Sequence, residues 1–388
     1  MNTKQLITYA SSFLLISALS AQTLLPASAS SAPEKVNVQL TFNHAGLMIS
    51  SQDAIIKNGV SYLSSSLLTN YAKLEMRWNQ SGNRIEFTGF DKRLVIRIGS
   101  HTGLLDGKSV DLGSAPFLYK DELYLPAKFV VKALQGGAVH WDPKTRTLQA
   151  DHLHRYPGMS ENFEGALYSL SYDTGDLFVS SGKGNKQKIA NLGTGLDIVH
   201  FKFEHTPQGL VVLRVFNIYG EPHLYTDDFI LLLKNGSVIR QANIGFHNTF
   251  GEPALWADGK LLLNDGHTLR IIEDGTGKVL ETVNLSSLMG TSGDNLVSYN
   301  VEAWYPDIAL IRPTDTGLLT LVNRSTGNQT LLYKEFLKWN EQQPDEVNDP
   351  MFPGDHVYFT GRSGNKLNFN HTRGNVTQKF THTLTTEK

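Results

Sequence analysis

The strongest constraint on the fold is an internal duplication. Ala54-Ile55-Ile56-Lys57-Asn58-Gly59-Val60-Ser61-Tyr62-Leu63 leads into Leu67-Leu68-Thr69-Asn70-Tyr71-Ala72 and then Met76-Arg77-Trp78-Asn79. Further on, Pro116-Phe117-Leu118-Tyr119-Lys120-Asp121-Glu122-Leu123-Tyr124-Leu125 leads into Phe129-Val130-Val131-Lys132-Ala133-Leu134 and then Val139-His140-Trp141-Asp142. Tyr62-Leu63 recurs as Tyr124-Leu125 at an offset of 62 and Trp78 as Trp141 at 63, so one inserted residue aligns the copies. A repeat of this kind is one supersecondary unit used twice.

Each copy reads as a hairpin, a short helix and a second hairpin. Asn58-Gly59 is a two-residue hairpin turn between apolar runs. In the second copy Pro126 stands at a first helical position, and Phe129, Val130, Ala133 and Leu134 share one helical face before Gly136-Gly137 ends the helix. Trp141-Asp142-Pro143-Lys144 and Trp78-Asn79-Gln80-Ser81-Gly82 turn the closing hairpins. Between the copies, Leu94–Gly99 and Gly103–Val110 form another strand pair, turning at Asp106-Gly107. Trp78 and Trp141, large aromatics at equivalent positions, are expected in the core.

Ser109-Val110-Asp111-Leu112, Tyr124-Leu125-Pro126-Ala127-Lys128-Phe129-Val130, Ala133-Leu134-Gln135-Gly136 and Val139-His140-Trp141-Asp142 resemble the copper amine oxidase N-terminal-like domain, also called a stalk domain. The resemblance spans Val36–Asp151 and is looser in the first copy, where Ser64-Ser65-Ser66 replaces a proline-containing segment. Lys128 stands where the family commonly has arginine. The resemblance implies an α/β accessory module of exported bacterial proteins, without copper or oxidase activity. Such oxidases make a quinone from a tyrosine in an Asn-Tyr-Asp/Glu context beside three histidines. Here Asn70-Tyr71 is followed by Ala72 inside the expected helix, and Asn217-Ile218-Tyr219-Gly220-Glu221 has the wrong spacing. Amine oxidase activity is rejected on these grounds.

The N-terminus reads as an address. Lys4 precedes an uncharged, mostly apolar stretch, Leu6–Ala21, after which Pro26 breaks any helix and Ala27-Ser28-Ala29 offers small residues for cleavage. That order is a secretory signal peptide ending at Ala29; as a membrane anchor the run is short of the ~20 residues a span takes. The expected location is secreted, extracellular or cell-wall-associated, with no stable membrane span after cleavage. The 388 residues contain no cysteine, which excludes disulfides, thiolate metal sites, Fe–S clusters and cysteine nucleophiles. A formal charge of −2 gives no general drive toward nucleic acid, and no nucleic-acid partner is expected.

Beyond a linker at 152–161 nearly every segment alternates strand and turn. The turn glycines Gly236, Gly277, Gly327 and Gly364 are spaced by 41, 50 and 37 residues, and Ile271-Ile272…Thr276-Gly277 matches Leu321-Val322…Thr326-Gly327 at an offset of 50. Spacing of ~40–50 residues per four-stranded sheet is the propeller period, and it predicts about five such units. A pair of β-sandwiches is the rival arrangement. The expected layout is therefore a signal peptide at 1–29, a stalk-type module of two repeats at 36–151, and a propeller-like domain at 162–388. In fold class this is an α+β tandem-repeat module followed by an all-β, propeller-like domain.

No catalytic set, cofactor site or metal site is expected. His152-Leu153-His154 has spacing that can begin a metal site, but no third ligand is near in sequence, and it reads as a linker pair. Asp345-Glu346, Asp349 and Asp355 among Pro344, Pro350 and Pro353 have oxygens suited to Ca²⁺ but read as a surface excursion. Gly182-Lys183-Gly184-Asn185-Lys186 lacks phosphate-loop spacing and reads as a hairpin tip. Asp227-Asp228 point to opposite faces of a strand and make no acid/base pair. Trp256, Trp304, Tyr305 and Trp339 are the candidate ligand-facing aromatics. The expectation is a non-enzymatic envelope protein whose stalk-type module presents the β domain to an extracellular polymer or protein partner. The alternatives are a glycan-acting hydrolase or lyase and an extracellular sensing domain.

Overall fold

Period-two alternation of apolar residues runs through both halves, and the chain is accordingly mostly β. The computed structural model describes residues 32–43, 47–181, 186–291, 297–336 and 353–384. The expected signal peptide, Trp339, Asp345, Glu346, Asp349 and Gly182-Lys183-Gly184-Asn185 lie outside the described residues. Strands take 58% and helices 7% of the described residues, and the N-terminal module's two helices have only 5 and 7 residues.

That module has two sheets. In the seven-stranded sheet the hairpin of the first copy, Met48–Lys57 with Val60–Ser64, lies beside that of the second, Phe117–Tyr119 with Glu122–Pro126. Where they meet, Tyr62 pairs with Pro126, Leu63 with Leu125 and Ser64 with Tyr124. Leu63 therefore faces its own repeat equivalent, and a local two-fold axis passes through that pair; both leucines are fully buried. The duplication is thus used as a self-complementary edge contact. The helices Ser66–Asn70 and Ala127–Ala133 follow the two hairpins, and the expected face of the second is buried.

The two tryptophans depart from expectation. Trp78 and Trp141 are 38% and 40% exposed. Each sits on an edge strand, Glu75–Asn79 of the five-stranded sheet and His140–Asp142 of the seven-stranded one. Cross-strand pairing puts Trp78 opposite Ile85 and Trp141 opposite Leu148, both buried. The rings face the core side, but an edge strand has a neighbour on one side only, so they cap its rim.

In the C-terminal half five antiparallel sheets follow in sequence, at 158–191, 198–247, 256–284, 299–331 and 357–383; the first four have four strands each and the fifth has three among the described residues. Four separate apolar clusters join successive sheets. Leu170, Leu213 and Leu231 join the first to the second; Val212, Ile230 and Leu261 join the second to the third; Leu262, Val301 and Ala309 join the third to the fourth; Leu310, Val357 and Phe369 join the fourth to the fifth. The turns at Gly277 and Gly327 share hydrogen bonds, Gly277 N–H to Glu273 C=O and Gly327 N–H to Asn323 C=O, so the offset of 50 marks equivalent positions.

The linker expected at 152–161 is mostly strand. Thr147–Leu153 ends the module and Gly158–Phe163 begins the first C-terminal sheet. The four residues between are tied to both sides: Tyr156 N–H donates to Ala72 C=O, Phe90 N–H to Tyr156 C=O and Tyr172 N–H to Pro157 C=O. A Cβ on Gly158 would lie 2.5 Å from the Leu170 oxygen, which is why glycine stands there. Lys186 closes the joint, its ammonium 4.0 Å from the Phe90 ring centre, 4.3 Å from that of Phe178 and 2.6 Å from the Asp91 carboxylate.

Truncating Leu63 or Leu125 to alanine is expected to cost about 2–5 kcal/mol each in urea unfolding. Trp141→Ala should cost clearly less; a loss equal to that of Leu63→Ala would contradict the edge position of the ring.

Candidate binding cleft

The second C-terminal sheet outreaches the third. Its strands Val211–Tyr219, Tyr225–Lys234 and Ser237–His247 have 9, 10 and 11 residues, whereas Trp256–Ala257, Lys260–Asn264 and Thr268–Ile272 have 2, 5 and 5. At ~3.3 Å per residue the overhang is roughly 17 Å. Two cross-strand rows cover the uncovered face: Ile198, Ile218, Thr226 and Phe246, then His200, Phe216, Asp228 and Ile244. A cleft of about 350 Å³ opens there, walled by Phe216, Ile218, Phe246 and Phe250 with His200, Thr226, Asn248 and Glu252 as its polar groups.

Its floor carries a buried ion pair. Arg214 Nε donates to both oxygens of Asp228 at 3.2 Å, a third bond runs from Nη2 to Asp228 Oδ2, and the guanidinium carbon lies 4.5 Å from the centre of the Phe216 ring. Burial pushes the Asp228 carboxyl up and Arg214 pulls it back. Arg214 Nη1 also reaches the exposed Glu252 at 3.5 Å. The neighbouring Asp227 points the other way, to Asn217 and Tyr219, as the strand alternation requires.

The loop 248–255 roofs the cleft and is gripped by distant sheets. Asn300 of the fourth sheet donates to Gly251 C=O at 2.6 Å, and Gly251 N–H donates to Glu302 at 3.2 Å. From the fifth sheet's side, Thr249 Oγ1 donates to Pro353 C=O at 3.0 Å and the Tyr358 hydroxyl to Thr249 C=O at 2.9 Å. Behind it Arg312, fully buried, donates to Glu302, Asp355, Gly317 C=O and Val357 C=O. Burial pulls the guanidinium down, but Glu302 and Asp355 outweigh it and hold its pKa above the usual value. Asp355, expected in a surface excursion, is 2% exposed and belongs to this network, its second oxygen accepting Leu319 N–H at 2.7 Å.

Sequence reasoning picked other residues. Trp256 packs between the second and third sheets, Trp304 between the third and fourth, and Tyr305 between the fourth and fifth. Arg324 lies over Trp304 at 3.9 Å and Arg362 over Tyr305 at 4.8 Å. The three aromatics are not brought to one surface, and Trp339 lies outside the described residues. His152 and His154 both contact Asn43, at 3.3 and 3.1 Å. The cleft residues carry no motif; the signal available was the unusual length of the apolar runs at 211–219 and 225–234.

Residues 43–150 match the copper amine oxidase N-terminal domain. The match covers both repeats and ends near the strand that closes the module. The family's name carries copper, yet among the described residues no three His, Asp or Glu side chains group to hold a metal; within the match His101 precedes a strand of the five-stranded sheet, His140 sits on the seven-stranded one, and His44 lies outside the described residues. No curated protein matches the chain. Among solved structures it is similar to virginiamycin B lyase from Staphylococcus aureus, at 10% identity over 80% of this chain and 85% of that one, TM-score 0.23. It is similar to AztD from Citrobacter koseri at 10% identity over 88% and 87%, TM-score 0.24. A puromycin-hydrolyzing peptidase of Mycobacterium tuberculosis is similar at 13% identity over 80% of this chain and 45% of that one, TM-score 0.27. Among the described residues no helix is long and apolar enough to cross a membrane.

Two outcomes are expected at the roof of the cleft. Arg312→Met should cost about 3–5 kcal/mol, because Glu302 and Asp355 then lie buried without a counter-charge. His247, the last residue of the strand that leads into this loop, has its pKa lowered by burial and by His356. A histidine lowered in the folded state stabilises above its unfolded pKa of ~6.5 and loses that contribution as pH falls below it. The melting temperature should therefore drop more steeply between pH 7 and 5 in the wild type than in His247→Gln.

Proposed function

We propose that this chain is an exported, non-enzymatic binding protein in which the N-terminal module positions a propeller-like β domain, and that the cleft on the second sheet receives an extracellular polymer or protein partner. Export rests on the sequence of residues 1–29. The radial arrangement is supported by the loop 248–255. In a linear stack at ~10 Å per sheet, the second and fifth sheets would stand roughly 30 Å apart. Yet the loop leaving the second sheet is hydrogen-bonded to Pro353 and Tyr358 at 3.0 and 2.9 Å, which is natural if the sheets surround a common centre.

The observation that carries the binding reading is the overhang itself. Phe216 and Ile218 are left only half-buried and Ile198 is exposed, whereas Val212, Ile230 and Leu232, on the part of the same face that the third sheet covers, are buried. Pre-formed apolar walls with a few fixed polar groups are the usual makings of a ligand site. Asn248 is fixed by bonds to Thr226 and to His223 C=O, so the polar rim is ordered before anything binds. Glycoside hydrolysis ordinarily uses two carboxylates flanking one bond; in the cleft Asp228 and Glu252 are both engaged by Arg214 instead.

The test is co-sedimentation of the chain lacking residues 1–29 with isolated cell walls and with secreted polymer, with and without EDTA. Binding should fall at least tenfold in Phe216→Ala/Ile218→Ala while the melting temperature moves by a few degrees, and EDTA should leave it unchanged. Equal binding by the variant would refute the cleft as the site.

A further inference from the structure

The outer face of the N-terminal five-stranded sheet concentrates arginine. Its strands are Glu75–Asn79, Arg84–Gly89, Lys92–Arg97, Thr102–Leu105 and Lys108–Asp111. Alternation sends Ile85, Phe87, Leu94 and Ile96 to the core, and Arg77, Arg84, Arg93 and Arg97 to the other side. Four of the chain's thirteen arginines thus share one exposed sheet face, although the whole chain is net negative. Glu86 answers two of them, Arg93 at 2.6 Å and Arg84 at 3.4 Å. Glu75 stands on the edge strand and Asp111 at the far one, where it accepts Gly113 N–H at 2.8 Å.

The pairing within this face is unusual. Arg84 lies directly opposite Arg97 on the neighbouring strand, so two like charges face each other across ~5 Å of sheet, an arrangement that destabilises a strand pair. Arg97 has no side-chain hydrogen bond or ion pair among the described residues. Between them opens a depression of about 410 Å³ with Val95 and Leu104 in its floor and the hydroxyls of Ser100, Thr102 and Ser109 along its side. Ser100 Oγ donates to Thr102 C=O at 2.9 Å and Arg84 Nη2 is engaged by Glu86, but the Arg97 fork, the remaining donors of Arg84 and the hydroxyls of Thr102 and Ser109 still outnumber what the two oxygens of a carboxylate can use, and match a tetrahedral oxyanion with three free oxygens.

We propose that this face binds the phosphate groups of an extended phosphate-bearing polymer, one phosphate between Arg84 and Arg97 and its neighbours along Arg93 and Arg77. This goes beyond the reading above, which gives the N-terminal module only a positioning part. It also stands apart from it, since the arginines and the cleft lie in different halves of the chain.

The probes are linear polyphosphate, inorganic phosphate and poly-L-glutamate, titrated against the chain lacking residues 1–29 and followed by calorimetry at several salt concentrations. Polyphosphate should bind with an affinity that falls with salt, inorganic phosphate and poly-L-glutamate at least tenfold more weakly. Arg84→Gln/Arg97→Gln should lose at least tenfold in polyphosphate affinity, and Arg240→Gln, an exposed arginine elsewhere, should lose none. Without ligand, Arg97→Gln should melt at or above the wild-type temperature, because one of two opposed charges is gone. The proposal is overturned if polyphosphate does not bind, if poly-L-glutamate binds as tightly, if Arg240→Gln loses as much as the double variant, or if Arg97→Gln lowers the melting temperature.

Discussion

Each sheet of the C-terminal half is held through the apolar layer it shares with its neighbours. With no cysteine in the chain, those layers hold the sheets together without disulfides. What packing alone leaves open is how sheets that are not neighbours find one another. The loop 248–255 answers that, reaching from the second sheet to partners beside the fourth and fifth. Arg312 anchors the far side of those contacts with all its donors directed at buried acceptors. A buried charge so fully paired contributes modestly to stability compared with apolar groups of the same shape, but it tolerates few alternative arrangements of the sheets around it.

The cleft follows from the same constraint. A shared apolar layer needs strands of matched length, and the second and third sheets are mismatched. Where they overlap, Val212, Ile230 and Leu232 are buried against Leu261 and Leu263; beyond the overlap the same face continues as Phe216, Ile218 and Phe246. At the boundary the pattern turns polar, with Arg214 and Asp228 neutralising each other under the Phe216 ring. The joint between the two halves is equally determined. Gly158 permits the close approach to Leu170, and Lys186 sits between Phe90 and Phe178, so the N-terminal module has a fixed bearing on the first sheet.

Much of this was legible in the sequence, and the residues show where legibility stops. The duplication was plain in Tyr62-Leu63 and Tyr124-Leu125, but not that the copies would pair through those leucines, because a repeat says nothing of its own symmetry axis. The offset of 50 between Gly277 and Gly327 located equivalent turns, since turn chemistry is local. Trp78 and Trp141 were misplaced because composition cannot tell an edge strand from a central one. The aromatics Trp256, Trp304 and Tyr305 drew attention by type, whereas the exposed face is made by phenylalanines whose exposure depends on how far the next sheet extends. Strand length relative to a spatial neighbour is a tertiary quantity, and no window of the sequence holds it.

The central claim is that the overhanging face of the second sheet is where a partner docks. Hydrogen exchange of the chain lacking residues 1–29, with and without the wall or polymer fraction that retains it, tests this most directly. The account predicts added protection concentrated in 198–200, 216–218 and 244–252, with the interfaces between the other sheets unchanged. Protection confined to other sheets, with those three segments exchanging as in the free protein, would contradict it.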